Sequence, residues 1–381
     1  MMHRIMFRRF AVVFMLAGLA SGGGCRRDSG DTLPPSEPIR AEELRQTEVF
    51  PHPEGPIVAG KNYVYCATFQ LAWNEFQDKI VGEPVHLAGL PPMGEDLLRG
   101  SKLTVDILPP GTYLVKAGLI KDGVVGELRE SMSRLFPNAT LRIPERLEDQ
   151  EAIAYAYMQA SFKFREAFDR LDDPLVFKPR TGPVKVACFG IQNFKSDSRR
   201  DEALGKQVSV LADASDDEFV LRLNTTSASD EMVLAKVKPR ETLISTLAAV
   251  RKLIERRMGE DGPTGLSPGD SLVVPLIDLN VLRKYTELEG RSPTNPKLSK
   301  IYLAIAEQTI RFRLDEKGAR LESNAYEGWK SAAGREKPAQ YIFDKPFLIY
   351  LKRTSSDYPY LAIWIETPEL LQSVEKLDHM E

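Results

Sequence analysis

The chain has 381 residues and carries 51 Lys and Arg against 54 Asp and Glu, a net charge of −3. Its charges are interspersed, so no nucleic-acid surface is advertised. Three cysteines are too few for a disulfide framework. Of the four histidines, His3, His52 and His379 lie near the two ends and only His86 falls inside the remaining chain, so a zinc site of three or four His and Cys ligands is not expected.

Arg4, Arg8 and Arg9 make a positive leader, and residues 10–20 form an apolar run of 11 residues. That run is too short to span a bilayer as a mature helix and suits a signal peptide. Small residues then lead to Cys25, which makes residues 1–25 a lipoprotein-type signal with Cys25 as the lipidation site. A lipid on that thiol would anchor the chain to a membrane, gaining about 0.8 kcal/mol per buried CH₂. The lipoprotein pattern favours Leu three positions before the cysteine, where this chain has Gly22. Ala20 and Gly22 also fit cleavage by an ordinary signal peptidase. On either reading the chain is expected outside the cytoplasm, lipid-anchored in the cell envelope or secreted.

Residues 26–61 hold six prolines and no periodic apolar pattern, which reads as a Pro-rich disordered tether. A single domain is expected over residues 62–381. Residues 62–66 read as a short strand, after which Thr68 caps a helix with Phe69, Ala72, Trp73, Phe76 and Ile80 on one face. Residues 112–120 read as a strand. A second amphipathic helix carries Val125, Leu128, Met132, Leu135 and Phe136 and stops at Pro137. Residues 148–168 fit either state: Ala and Glu favour helix, while the Tyr, Phe and Met spacing allows strand. Residues 184–223 read as several short strands, and Pro239 as the start of a helix that buries Leu243, Leu247, Val250, Ile254 and Met258. A strand at 271–279, a short helix from Asn280, and a long strand at 301–314 follow. Residues 315–340 are polar and too long for an ordinary connection. Strands at 347–351 and 361–365 end the domain. Mixed elements without a regular βαβ rhythm argue an α+β fold.

Little catalytic chemistry is signalled. Residues 265–269 match G-x-S-x-G, the hydrolase nucleophile elbow, but the residue after Ser267 is Pro268. Proline lacks the N–H that the elbow's oxyanion hole requires, so a turn is the better reading. Asn138 and Asn224 begin glycosylation sequons by pattern and are read as turn or strand-end residues. Cys66 and Cys188 are expected to be separate buried thiols. No metal, no cofactor and no enzyme activity are expected.

One stretch has a familiar order. A long strand ends in Asp315-Glu316-Lys317-Gly318, a polar segment follows, and then comes Phe343-Asp344-Lys345-Pro346-Phe347-Leu348. This resembles the C-terminal third of serpins: strand, acidic-plus-glycine hinge, reactive loop, F-x-x-P-F-L strand. Val274-Pro275 with residues 282–290, and residues 112–136, resemble earlier serpin strand-and-helix pairs. Residues 62–70 sit at the family's N-terminal motif, with Cys66, Ala67 and Phe69 in place of its serines and proline. Phe164 stands where the family has tryptophan, Leu276 where it has a lysine facing Glu316, and Gln308 where it has a histidine.

The resemblance implies a mixed central sheet, two smaller sheets and about six to eight helices, with the first helix and the sheet-covering helix missing. It makes Glu316, Lys317, Gly318 and Ala319 a loop hinge and residues 319–342 an exposed loop, with Lys330, Ala332, Ala333 and Arg335 in the candidate scissile region. The function it implies is a binding protein that inhibits an extracytoplasmic serine or cysteine protease through that loop. A degenerate, non-inhibitory scaffold and an unrelated α+β envelope lipoprotein are the alternatives. In serpins the cut loop inserts as a new strand, which requires alternate residues to be small or apolar. Ala319, Leu321, Ser323 and Ala325 satisfy that, and Glu327 interrupts it, because a buried unpaired carboxylate costs several kcal/mol.

Overall fold

In the computed structural model, residues 151–161 form a strand, although their Ala and Glu content suits a helix. The reason is that it pairs with a strand on either side and has both faces covered. Ala152, Ala154 and Ala156 face one apolar cluster, and Ile153, Tyr155 and Tyr157 face another. A strand buried on two sides reads as a continuous apolar run rather than an alternation.

The structure describes residues 37–87, 89, 97, 102–161, 163–258, 262–296, 300–317 and 337–374. Cys25, Gly318, Ala319, Lys330, Ala332, Ala333 and Arg335 lie outside them. The chain divides into residues 1–32 and 33–381, and every described residue is in the second unit.

Residues 151–161 lie in a mixed five-stranded sheet of order β1 (Ile39–Arg40), β14 (Ile277–Lys284), β15 (Tyr302–Leu314), β5 (Glu151–Ser161) and β4 (Tyr113–Leu119). A seven-stranded sheet runs β10 (Val208–Ser215), β11 (Glu218–Leu223), β12 (Asp230–Lys236), β17 (Phe347–Arg353), β18 (Pro359–Ile365), β3 (Asn62–Cys66), β2 (Thr47–Phe50). A four-stranded sheet runs β16 (Gln340–Ile342), β13 (Ser271–Pro275), β9 (Cys188–Ile191), β6 (Asp169–Arg170). Strands β7 (Leu175–Phe177) and β8 (Val184–Val186) pair as a ribbon. The sequence leads to an expectation of two sheets smaller than the central one; the largest sheet instead has seven strands.

Four α-helices are present among the described residues, against the expected six to eight: α1 (Thr68–Phe76), α2 (Val124–Leu135), α3 (Arg199–Gln207) and α4 (Leu243–Met258). Helix α1 packs Phe69, Ala72, Trp73 and Phe76 on the alanine face of β5, whose small side chains let the helix approach. Helix α2 covers the other face with Val124, Leu128 and Met132. Residues 137–150 contain no helix; their Ala139, Leu141, Ile143 and Leu147 pack beside α2. That agrees with the expected loss of a sheet-covering helix. The largest core lies between the seven-stranded sheet and the inner faces of the other two, where Ile310 and Phe312 meet Leu272, Val274, Leu234 and Ile363.

Four expectations are corrected. The tether does not extend to residue 61, because β1 pairs with β14 and β2 with β3. The Glu369 carboxylate holds this N-terminal strap by accepting from Arg45 N, Gln46 N and Thr47 Oγ1 at 2.8, 2.9 and 2.7 Å. Asn280 does not open a helix: it lies inside β14, where Ile277, Leu279 and Val281 are buried on alternate positions, a period of two. Thr68 does not cap α1; its hydroxyl accepts from Gln308 Nε2 at 2.9 Å. Helix α3 was legible in its cap, since Ser198 Oγ accepts from Asp201 N at 3.0 Å, but its weak apolar face hides it among strands.

Candidate functional site: the anchored ends of the loop

Strands β15 and β5 run parallel and pair directly from Tyr302 opposite Glu151 to Arg313 opposite Ser161. At the end of this seam the chain leaves the sheet through Asp315, Glu316 and Lys317. Arg313 Nε lies 2.8 Å from Asp315 Oδ2, and the other Asp315 oxygen accepts from Lys317 N at 2.9 Å, a local Asx turn. The two described hinge residues are then held by the segment that follows β5. Phe168 N donates to the Glu316 carbonyl at 3.1 Å and Phe164 N to the Lys317 carbonyl at 3.4 Å. Arg170 Nη1 reaches Glu316 Oε2 at 3.0 Å.

This clamp is itself rigidly seated. Phe164 and Phe168 are buried and meet edge to face at 4.8 Å, with Phe189 at 6.3 and 5.6 Å from their rings. Buried Gln207 closes the turn between them: its Oε1 accepts from Arg165 N at 2.9 Å and Glu166 N at 3.1 Å, and its Nε2 donates to Glu166 O at 2.9 Å. Arg200 adds bonds to Ala167 O and Asp169 Oδ1, both at 2.8 Å. Leu276, which resembles the place of a lysine that would face Glu316, is wholly buried. Arg170 is the cation that meets Glu316.

The chain returns at residues 337–343. Asp270, buried, accepts from Ala339 N at 2.7 Å through Oδ1 and from Ser267 N at 2.8 Å through Oδ2. Strand β16 then pairs in parallel with β13. Gly269 has φ +93°, and a Cβ there would come within 2.7 Å of Pro338, so the turn at 265–269 needs glycine and serves the returning chain. The turn reading of Ser267 therefore holds: Asp270 N donates to the Ser267 carbonyl at 3.0 Å.

In the motif that follows, Phe343, Phe347 and Leu348 are fully buried. Asp344 takes Lys178 Nζ and Lys236 Nζ, both at 2.7 Å. Burial pushes this carboxyl up, but the two lysines outweigh it and hold it below its ordinary value. Lys236 is buried and also donates to Asp216 O at 3.0 Å and Ile342 O at 2.9 Å.

Under the seam, buried Gln308 donates to Cys66 O at 3.1 Å and Thr68 Oγ1 at 2.9 Å, and accepts from Tyr285 Oη at 2.8 Å. Cys66 and Cys188 are free and buried, as expected. Burial pushes the Cys66 thiol up to about 11, so it stays protonated and is a poor nucleophile.

A long strand thus ends in a clamped acidic turn, and the chain re-enters through a separate sheet into a buried F-x-x-P-F-L strand. This order of elements resembles that of serpins. The chain is similar to the solved structure of Serpin48 from the insect Tenebrio molitor, at 11% identity over 80% of this chain and 92% of that one, with a TM-score of 0.46. It is similar to native protease nexin-1 with heparin, at 10% identity over 81% and 92%, TM-score 0.47. It is also similar to the thyroxine-binding globulin complex with thyroxine, at 13% identity over 81% and 93%, TM-score 0.46. No protein-family model and no curated protein matches the sequence. Of the hinge residues expected from sequence, Glu316 and Lys317 are in the clamp. The clamp's own residues, Phe164, Phe168, Arg170 and Gln207, carry no local signal of that role.

Proposed function

We propose that this serpin-like chain is an exported binding protein, held to a membrane by a lipid on Cys25, which offers residues 319–342 to an extracytoplasmic serine or cysteine protease. The observation that carries the reading is that the loop departs from the end of a parallel seam, with both of its ends fixed. Parallel pairing is slightly less stable per residue than antiparallel pairing. A strand folding back from β15 would run antiparallel to both β15 and β5, so its entry would exchange one parallel ladder for two antiparallel ones. For that, the β5–β15 register must open and the clamp at Glu316 and Lys317 must release.

The test is incubation of the full chain with trypsin-like serine proteases, which would read Lys330 or Arg335, and with cysteine proteases. An adduct of chain and protease that survives denaturing gel electrophoresis, together with loss of protease activity, is the expected result. Cleavage of the chain without an adduct or inhibition is the result that counts against it. A scaffold that binds without inserting is the second reading, favoured by one feature, the Glu327 carboxylate in the otherwise small and apolar set.

A further inference from the structure

On the face of the five-stranded sheet that α2 covers, a small cavity of about 90 Å³ lies over the β5–β15 seam. Its floor is fixed by register: Lys284 stands opposite Glu307, and Glu307 opposite Tyr155, one row across β14, β15 and β5. Its roof includes Glu37 and Arg40 of the N-terminal strap and Arg142 of the segment before β5. We infer that the strap is a latch: the ion pair of Glu37 with Arg142 ties the two halves of this sheet together and breaks before the seam widens. Its role as a brake on loop entry rests on the function proposed above.

The two partners belong to different halves. Ile39 and Arg40 pair in parallel with Val281 and Leu282 of β14, and Glu42 Oε1 accepts from Arg283 Nη1 at 3.1 Å. Strand β14 in turn pairs with β15 from Ile277 opposite Leu314 to Lys284 opposite Glu307, and Lys284 Nζ lies 2.6 Å from Glu307 Oε1. The strap therefore travels with β14 and β15. Arg142 lies in the segment that leads into β5, beside Leu141 and Ile143, which pack against α2. Strand β5 is held to β4 by an antiparallel ladder from Met158 opposite Tyr113 to Ala152 opposite Leu119.

The halves meet along the parallel β5–β15 ladder and, above it, where Arg142 Nη2 donates to Glu37 Oε2 at 2.6 Å. A strand entering the seam moves its neighbours apart by one more strand spacing, about 4.8 Å. The Glu37–Arg142 bond does not survive that movement unless the strap or the segment yields. Both side chains are about two-thirds exposed, so the tie shifts an opening equilibrium by no more than about fivefold. A latch of that strength slows opening and does not forbid it.

The experiment follows amide hydrogen exchange of the full, uncut chain in Glu37→Arg, in Arg142→Glu and in the double variant that swaps the two charges. Exchange at Tyr155, Tyr157, Glu307 and Thr309 should quicken by about three- to fivefold in each single variant and return to the parent's rate in the swap. Exchange at Val220 and Leu234, in the seven-stranded sheet, should stay unchanged, which separates opening of the seam from a general loss of stability. Equal seam exchange in the parent and both single variants, or no recovery in the swap, overturns the latch. The same four proteins, nicked at Lys330 or Arg335, test its consequence: all should reach the same final Tm, the single variants sooner. A nicked parent that gains stability as fast as the single variants overturns the brake and leaves loop entry standing. A nicked parent that gains none counts against loop entry alone, and exchange in the uncut chain still decides the latch.

Discussion

Arg170 Nη1 and Glu316 Oε2 meet at 3.0 Å, although 146 residues separate them in sequence. The pair joins β6, at the edge of the four-stranded sheet, to the hinge at the end of β15. Both side chains are partly exposed, so the pair is worth about 0.2–1 kcal/mol. Arg170→Ala is expected to change global stability by no more than that. Its effect should show locally, as faster amide exchange at Phe168, whose N–H holds the Glu316 carbonyl.

Glu369→Ala removes the acceptor of three bonds to the N-terminal strap. Bonds to a charged group contribute roughly 1.5–3 kcal/mol, and this site is partly exposed, so a loss of about 2 kcal/mol is expected. Urea denaturation measures it. Exchange confined to residues 45–50 would show whether the strap frays first.

Gln308→Leu leaves Tyr285 Oη without its acceptor and removes the Gln308 amide from the Cys66 carbonyl and the Thr68 hydroxyl, all buried under the seam. Each orphaned group costs about 1–3 kcal/mol, so destabilisation of about 3 kcal/mol is expected. A variant within about 0.5 kcal/mol of the parent would show that these bonds are not formed.

Asp344 and Asp217 both sit below their ordinary carboxyl values: Asp344 through Lys178 and Lys236 acting against burial, Asp217 chiefly through Lys345 and then Lys236. A depressed folded value means that the unfolded chain binds protons first as pH falls. The stabilisation is therefore present above the unfolded value of about 4 and is lost as pH drops below it. Lys236→Met removes a buried cation and is expected to destabilise by about 3 kcal/mol at neutral pH. It should also make the acid limb below about pH 4 shallower, which pH-dependent denaturation would read.

Cys25→Ala should release the protein from membranes into the soluble fraction. Retention of the variant on salt-washed membranes would refute the lipid anchor.

The parts of the fold that were legible from sequence are those with local causes. Strand β3 coincides with residues 62–66, and β15 begins one residue after the expected start. Their apolar patterns answer to one sheet. What periodicity could not show depends on distant partners. Strand β2 exists because Thr47–Phe50 finds β3 in parallel register, and β1 because two residues find β14. Residues 151–161 become a strand because β15 and β4 pair with them on either side, while α1 and α2 cover both faces. Asp315, Glu316 and Lys317 leave β15 where the sequence places the start of a hinge, whereas the contacts that hold them were not legible: Phe164, Phe168 and Gln207 are ordinary core and helix-end residues until the fold brings them together.

The most direct test of loop insertion is the melting temperature after a nick at Lys330 or Arg335. Entry of residues 319–329 between β5 and β15 would add two antiparallel ladders and bury Leu321 and Trp329, with about 1.5–3 kcal/mol for each large apolar side chain. Tm should rise on the order of 10 °C, and further still in Glu327→Ala, which removes the carboxylate from the buried set. An unchanged or lower Tm in both proteins would mean that no strand enters the seam, and would contradict inhibition by insertion.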